Sequence, residues 1–589
     1  MRLRKAALVP ALVAVSALSL TACGGGGTKS TDAGGNKGAT STVADFGIGL
    51  PADSVGPAKD VPGAKQGGTA HGIEAAGFDY LDPSQQYVNE YQAVGMLYSR
   101  QLTNYKTDPV TGKTILVGDL ATDTGKTTDG GKTWTWTLKD NLKFEDGTPI
   151  TSKDVKYAVE RLYADYQTQG PTYFPIWLSG ADYKKVYKGP DAGDLPDTVI
   201  STPDDKTVTF HFTDAHTDAS YAAAMPNITA IEKSMDTKDK YNSHPVSIGP
   251  YKIKDYQPDK SLTLVRNENW DPKSDPIRHQ YVDSWVFELN VQVPQMTQRL
   301  MGGAGDDKNA LSLTANADAA QIKTIQADPQ YTSRTISQFQ PYVDTFDINN
   351  TRVKDVNVRK ALAKAFPAAQ VQRLLGGSTT GDIAGNLVSP TVSGWQNTDP
   401  LGIKANPNGD PVAAKKILTD SNNVGYHIVL AYSNTTRWQN ISAAVQDALT
   451  QAGFTVERKE IDPTSYYTQI GKVDNGFDLY RTGWGADWPA GSTVIPPTLD
   501  GRLIADGATD YSHYNNPAMN AEMDRISKIE DQKAAAAEWM KLADKILATD
   551  VPKIPAAYDK FFNIYGAGLG GVAYNAVLGC IDVSSVFIK

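Results

Sequence analysis

Between residues 428 and 456 the chain spells out a β-α-β crossover. An apolar run to Tyr432 is followed by a helix with Ile441, Ala444, Val445, Ala448 and Leu449 on one face, then Gly453 as the stop and a second strand through Val456. Such a crossover makes parallel strands and puts helices on the faces of the sheet, so at least one domain is α/β. A short strand over residues 477–480 follows and runs into Arg481-Thr482-Gly483-Trp484-Gly485-Ala486-Asp487-Trp488-Pro489. Ligands of open α/β sheets sit beyond the carboxyl ends of strands, and this loop carries two indoles and a carboxylate to such an end.

Strand and helix signals alternate along the rest of the chain without a repeat period. Residues 133–138 and 207–212 alternate apolar and polar with β-branched spacing, the pattern of half-buried strands. Thr151 stands three residues before Asp154, close to a capping box, with Val155, Ala158, Val159 and Leu162 at helical spacing behind it. Asp410 before Pro411 starts another helix, with Ala414, Ile417 and Leu418 as its apolar face. A long helix over residues 534–548 aligns Trp539, Leu542 and Ile546 and precedes Val551-Pro552-Lys553-Ile554-Pro555, which its prolines make extended. With 589 residues the chain is too long for one core.

Charge and cysteine content remove whole classes of function. The formal net charge of −9 argues against nucleic-acid binding, which demands a basic face. Two cysteines exclude a disulfide scaffold and a Cys-rich zinc module. Arg2, Arg4 and Lys5 precede an uncharged run over residues 6–22, the basic start and short apolar core of an export signal; Pro10, Ser16, Ser19 and Thr21 make it too polar to span a bilayer. Leu20-Thr21-Ala22-Cys23-Gly24 resembles the lipobox of bacterial lipoproteins, which implies a signal over residues 1–22, lipidation of Cys23, and anchoring to the outer face of the cell membrane. Residues 24–65 hold 11 Gly and one aromatic, Phe46, and read as a disordered tether over 23–65 with a root-mean-square span of ~35 Å. Cys580 is then left without a partner and reads as a small hydrophobe.

Six segments taken together resemble the family 5 extracellular solute-binding proteins, the peptide- and nickel-binding components of bacterial ABC importers. The most specific is Leu142-Lys143-Phe144-Glu145-Asp146-Gly147-Thr148-Pro149-Ile150-Thr151-Ser152-Lys153-Asp154-Val155. The others, in the family's order, are Leu81-Asp82-Pro83, Gly249-Pro250-Tyr251-Lys252-Ile253, Val356-Asn357-Val358-Arg359-Lys360-Ala361-Leu362, Gly483-Trp484-Gly485-Ala486-Asp487 and Pro552-Lys553-Ile554-Pro555. The chain departs from the family at Ala365-Phe366-Pro367, which ends a helix early, and at Ala490-Gly491, where the family places an acidic residue and a proline.

The resemblance implies an α/β, two-lobed periplasmic-binding-protein-like fold with an extra inserted subdomain. Lobe I takes residues 66–98, 199–341 and 558–589, the insert 99–198, and lobe II 342–557. It implies a protein without catalytic residues, metal or cofactor, a monomer that captures short peptides between its lobes and delivers them to a membrane permease with its ATPase subunits.

By position in the family, Asp487 pairs with the ligand's α-amino group, shielded by Trp484 and Trp488 and flanked by Gly483 and Gly485. Arg481 either pairs with Asp487 or turns its planar fork to the ligand carboxylate. Tyr342 and Phe346 lead into a strand that borders the family's pocket, and Tyr87 and Asn89 lie at another pocket edge. The 142–155 stretch is expected to be structural, with Gly147-Thr148-Pro149 turning the chain from strand into helix.

Other classes find less support. There is no Gly-x-Ser-x-Gly elbow and no His-Glu-x-x-His, which weakens a secreted hydrolase. Gly566, Gly568 and Gly571 have too few residues after them for a dinucleotide fold and read as turns. His211 and His216, five apart, lack the spacing for joint metal ligation, which weakens chelate uptake. Sugar binding remains an alternative through stacking on Trp484 or Trp488, and an amine-pairing Asp487 discriminates against it.

Overall fold

The computed structural model describes residues 46–589; the expected export signal, the expected lipidation site Cys23 and the first half of the expected tether lie outside the described residues. The alternating segments form strands as their pattern dictates. Thr133–Thr137 pairs antiparallel with Thr207–His211, and both indoles of the first strand, Trp134 and Trp136, enter one core with Phe210 and Phe174. This sheet runs in the order Lys126–Thr127, Thr133–Thr137, Thr207–His211, Ile200–Ser201. Thr207–His211 lies past residue 198, the expected end of the insert, and yet belongs to this sheet. Pairing between strands some seventy residues apart closes this subdomain, and no local signal marks that closure.

The first lobe's five-stranded sheet runs Ala310–Leu311, Thr69–Ile73, Ser284–Glu288, Ser261–Arg266, Tyr251–Gln257. The second lobe's six-stranded sheet runs Gly381–Ile383, Lys553–Ile564, Thr335–Ile348, Leu479–Gly485, His427–Ser433, Thr455–Ile461. The crossover is present: His427–Ser433 and Thr455–Ile461 pair in parallel, and helix Thr436–Gln451 buries Ile441, Ala444, Val445 and Leu449 beside them. Gly453 takes φ +95°, where a Cβ is strained, which is why a glycine stops this helix. The two long strands Thr335–Ile348 and Lys553–Ile564 share their side chains between lobes. Ile336 and Phe561 pack into the first lobe's core and Phe346 and Ile554 into the second's. Their antiparallel register shifts between Phe339 and Val343.

Three expectations need correction. Residues 46–65 are not a loose tether: Phe46–Ile48 adds a parallel strand beside Thr114–Gly118, and Val61 packs on Tyr281 and Phe587. A segment that cannot make a core of its own borrows one from the body. Val551 is not extended; at φ +50° it caps helix Gln532–Asp550, and the strand begins at Lys553. The strand expected over 477–480 is Leu479–Gly485, because seven residues pair in register with Tyr342–Ile348.

Family-like segments turn out to hold the frame. Phe144 is fully buried, Asp146 accepts from the Thr148 amide at 2.8 Å, and Gly147 turns at φ +95° into helix Ser152–Arg161, where Asp154 accepts from the Thr151 amide at 2.7 Å. Asp82 accepts from Ser84 and pairs at 2.7 Å with Arg161, which also holds Asp236 at 2.9 Å, all three carboxylate and guanidinium groups out of water. A second buried network joins Arg100 and Arg278 to Asp119 at 2.8 and 2.9 Å. Helix Val356–Ala365 ends at Phe366-Pro367, as the proline requires.

Candidate functional site

Strand Leu479–Gly485 sorts its residues by alternation. Arg481, Gly483 and Gly485 lie opposite Phe346, Asp344 and Tyr342 on one face of the sheet, and Thr482 and Trp484 point to the other. Trp484 therefore does not shield Asp487: its indole packs into the core with Val494 and Ile495 and donates Nε1–H to the Thr493 carbonyl at 2.6 Å. Gly485 is required by close approach, since a Cβ there would stand 2.4 Å from the Tyr342 ring. Tyr342 donates to Asn89 at 3.2 Å, and Asn89 in turn donates to the Leu578 carbonyl. Tyr342, Gly485, Tyr87, Asn89 and Asp487 thus converge from three chain regions more than 140 residues apart.

Asp487 sits just beyond the end of the strand and is half-buried. One of its oxygens accepts from Tyr87 Oη at 3.1 Å and also from Tyr173 Oη. Among the described residues its side-chain partners are these two phenols and no cation. Burial pushes its carboxyl up to about 6, against the lowering effect of the two hydroxyls. Burial first, and the Asp487 charge second, push the Tyr87 and Tyr173 hydroxyls far above the ordinary tyrosine range, so both stay protonated donors. Trp488 is buried beneath Tyr173, ring centroids 4.6 Å apart, and so shields the carboxylate at one remove.

Tyr173 comes from helix Tyr173–Ser179 of the inserted subdomain, and the sequence did not single it out. Its signal was a Tyr-Phe-x-x-Trp run that any buried helix could carry; only pairing across chain regions distinguishes it.

Arg481 lies six residues before Asp487, roughly 20 Å along an extended strand, and does not reach it. It is held by Asp344, donates to the Tyr467 hydroxyl oxygen at 3.0 Å and lies 4.8 Å over the Trp438 ring. Gly483 faces this pair, 3.2 Å from Asp344 Oδ1 by the position a Cβ would take. Phe346 is buried against Phe366 at 5.0 Å between ring centroids, and belongs to the lobe's core and to the wall of a small cavity of about 110 Å³ beside Arg481. It does not reach the Asp487 cluster. Among the described residues no group of three or more His, Cys, Asp or Glu is arranged to hold a metal ion.

The profile of the bacterial extracellular solute-binding proteins, family 5 (middle region), matches residues 116–503. The probable D,D-dipeptide-binding periplasmic protein DdpA of Escherichia coli is 24% identical over 426 residues, covering 70% of this chain and 74% of that protein. The periplasmic oligopeptide-binding protein OppA of Salmonella typhimurium is 24% identical over 488 residues, 78% and 82% of the two chains. Among solved structures, clavulanic acid biosynthesis oligopeptide binding protein 2 superposes with a TM-score of 0.82 at 27% identity, covering 92% of this chain and all of that one.

Proposed function

The chain belongs to the family 5 bacterial extracellular solute-binding proteins, and on that footing we propose that it captures short peptides between its two lobes for an ABC importer. The observation that carries this reading is the state of Asp487: a half-buried carboxylate with two phenol donors and no cation. Such a group is poised for an ammonium ion, which supplies the missing charge and more hydrogen bonds than the hydroxyls do. Tyr87 reaches it from the first lobe, Tyr173 from the insert, and the carboxylate belongs to the second lobe, so closing the lobes assembles the amine seat. Gly483 and Gly485 let the Arg481–Asp344 pair and the Tyr342 ring lie close over the strand that leads to Asp487. The names of the relatives, dipeptide- and oligopeptide-binding, agree in ligand class.

In this reading residues 1–22 direct export, lipid on Cys23 holds the protein on the outer face of the cell membrane, and a permease with its ATPases receives the peptide. The protein performs no chemistry of its own. Calorimetric titration of the mature chain with tri-alanine and with N-acetyl-tri-alanine tests the proposal. The free amine is expected to bind and the acetylated peptide to lose at least about a hundredfold, the consequence of leaving a buried carboxylate unpaired. Equal binding of both peptides would overturn the assignment of Asp487.

A further inference from the structure

A cavity of about 830 Å³ lies between the inserted subdomain and the second lobe, and Asp487 is not among its walls. The insert contributes Tyr173, Trp177, Asp218 and Tyr221, and the second lobe contributes Trp488 and Trp539. Gln532 donates to the Thr217 carbonyl at 2.9 Å and ties the two parts together along the cavity's edge. The volume is that of an ordinary small-molecule site, and a junction between domains is where such sites form.

The chemistry of the walls is specific. Asp218 Oδ2 accepts from Trp488 Nε1 at 3.1 Å and from Ser492 Oγ at 2.7 Å, while Oδ1 accepts no side-chain hydrogen bond among the described residues. No cation pairs with Asp218 among the described residues, and burial pushes its carboxyl above the ordinary range. Around it stand aromatic faces: Trp488 meets Tyr173 at 4.6 Å and Trp177 at 6.3 Å, and Tyr173 meets Trp177 at 5.7 Å, all tilted or edge-on. The other titratable groups on the walls do not supply the missing charge. Burial pulls His216, stacked on Trp177 at 4.0 Å, down to about 4, so it is neutral, and Lys533 is exposed and forms no salt bridge with Asp218.

We propose that this cavity is a second binding site, for an organic cation with an apolar body, in which Asp218 is the counter-ion and the indole and phenol faces enclose the charge. A desolvated carboxylate and several π faces both favour a cation, and a neutral or anionic ligand satisfies neither. The site is separate from the amine seat: Tyr173 bonds Asp487, Trp488 bonds Asp218, and these two rings stand edge to face between the carboxylates.

The test uses benzyltrimethylammonium as the probe, because a quaternary ammonium has no N–H to satisfy Asp487 in the way a peptide amine does. Binding to the mature chain is followed by tryptophan fluorescence and calorimetry, with benzyl alcohol as the uncharged control. The probe is expected to bind the wild type and Asp487→Asn within about twofold of each other, and to bind Asp218→Asn at least about tenfold more weakly, while benzyl alcohol does not compete. Ser393→Trp, which fills the cavity from its wall and keeps Asp218, is expected to abolish probe binding and leave tri-alanine binding unchanged, and so keeps the test valid if Asp218→Asn folds poorly. Loss of probe binding in Asp487→Asn with retention in Asp218→Asn would overturn the proposal, as would no binding to the wild type at millimolar probe. Failure of tri-alanine to bind would sink the peptide reading alone.

Discussion

Replacing Asp487 by asparagine removes the charge and keeps the shape, so the size and pH dependence of the loss identify what that charge does. Burial pushes the carboxyl of the free protein from an ordinary 3.8 up to about 6. At neutral pH it is ionised, at a cost of at most on the order of 3 kcal/mol relative to water, since about 1.4 kcal/mol corresponds to each tenfold change in proton affinity. An ammonium ion favours the charged form and lowers that pKa in the complex, so protonation competes with peptide. Affinity for a free-amine peptide is therefore full above pH 6 and falls by up to about tenfold per pH unit below it. Asp487→Asn is expected to weaken tri-alanine by roughly 150- to 5,000-fold at pH 7.5, the ~3–5 kcal/mol of a broken buried pair, and to flatten the acid limb. Calorimetry at pH 5, 6 and 7.5 in buffers of different ionisation enthalpy reads both affinity and the proton released by the wild type near pH 6. An acid limb that persists unchanged in Asp487→Asn would refute the reasoning.

Four other outcomes follow from the same geometry. Gly485→Ala puts a methyl where the Tyr342 ring lies, so the ring and its bond to Asn89 shift; peptide affinity should fall about tenfold by calorimetry, with an unchanged circular dichroism spectrum. Arg161→Ala leaves Asp82 and Asp236 buried and unpaired and should cost about 3–5 kcal/mol in urea denaturation monitored by tryptophan fluorescence. Glu74 is pushed by burial from 4.5 to about 8, so the folded state binds the extra proton: its favourable contribution is complete below about 4.5 and is lost as pH rises to 8. Glu74→Gln should accordingly raise the urea midpoint at pH 8.5 and leave it unaltered at pH 4.5. Cys23→Ser should release the protein from the membrane fraction into the medium or periplasm, read by immunoblot of fractionated cells.

The α/β class and the crossover were legible because period and punctuation are local: apolar spacing at residues 441–449, a glycine at 453 and a proline after 366 each act within a few residues. The position of Asp487 at the end of a strand was legible for the same reason. What surrounds it was not. Tyr173 reaches Asp487 across 314 residues, and only the folded chain shows that a helix of the insert lends its hydroxyl to the second lobe. Trp484 misled because a loop lets an indole point anywhere, whereas a strand that extends to Gly485 fixes it on the far face. Arg481 and Phe346 lie on the same sheet face as Tyr342 and Gly485, yet Asp344 neutralises the first and core packing claims the second. Phe46 misled in the opposite direction, since a single aromatic suffices when its partners are supplied by a neighbouring core.

Native mass spectrometry of the mature chain, purified from its own host and compared before and after mild denaturation, tests peptide capture most directly. A ladder of copurified masses that fit short peptides, depleted in Asp487→Asn, is the predicted result. A single copurified mass belonging to a sugar or a metal chelate, unaffected by that substitution, would contradict it.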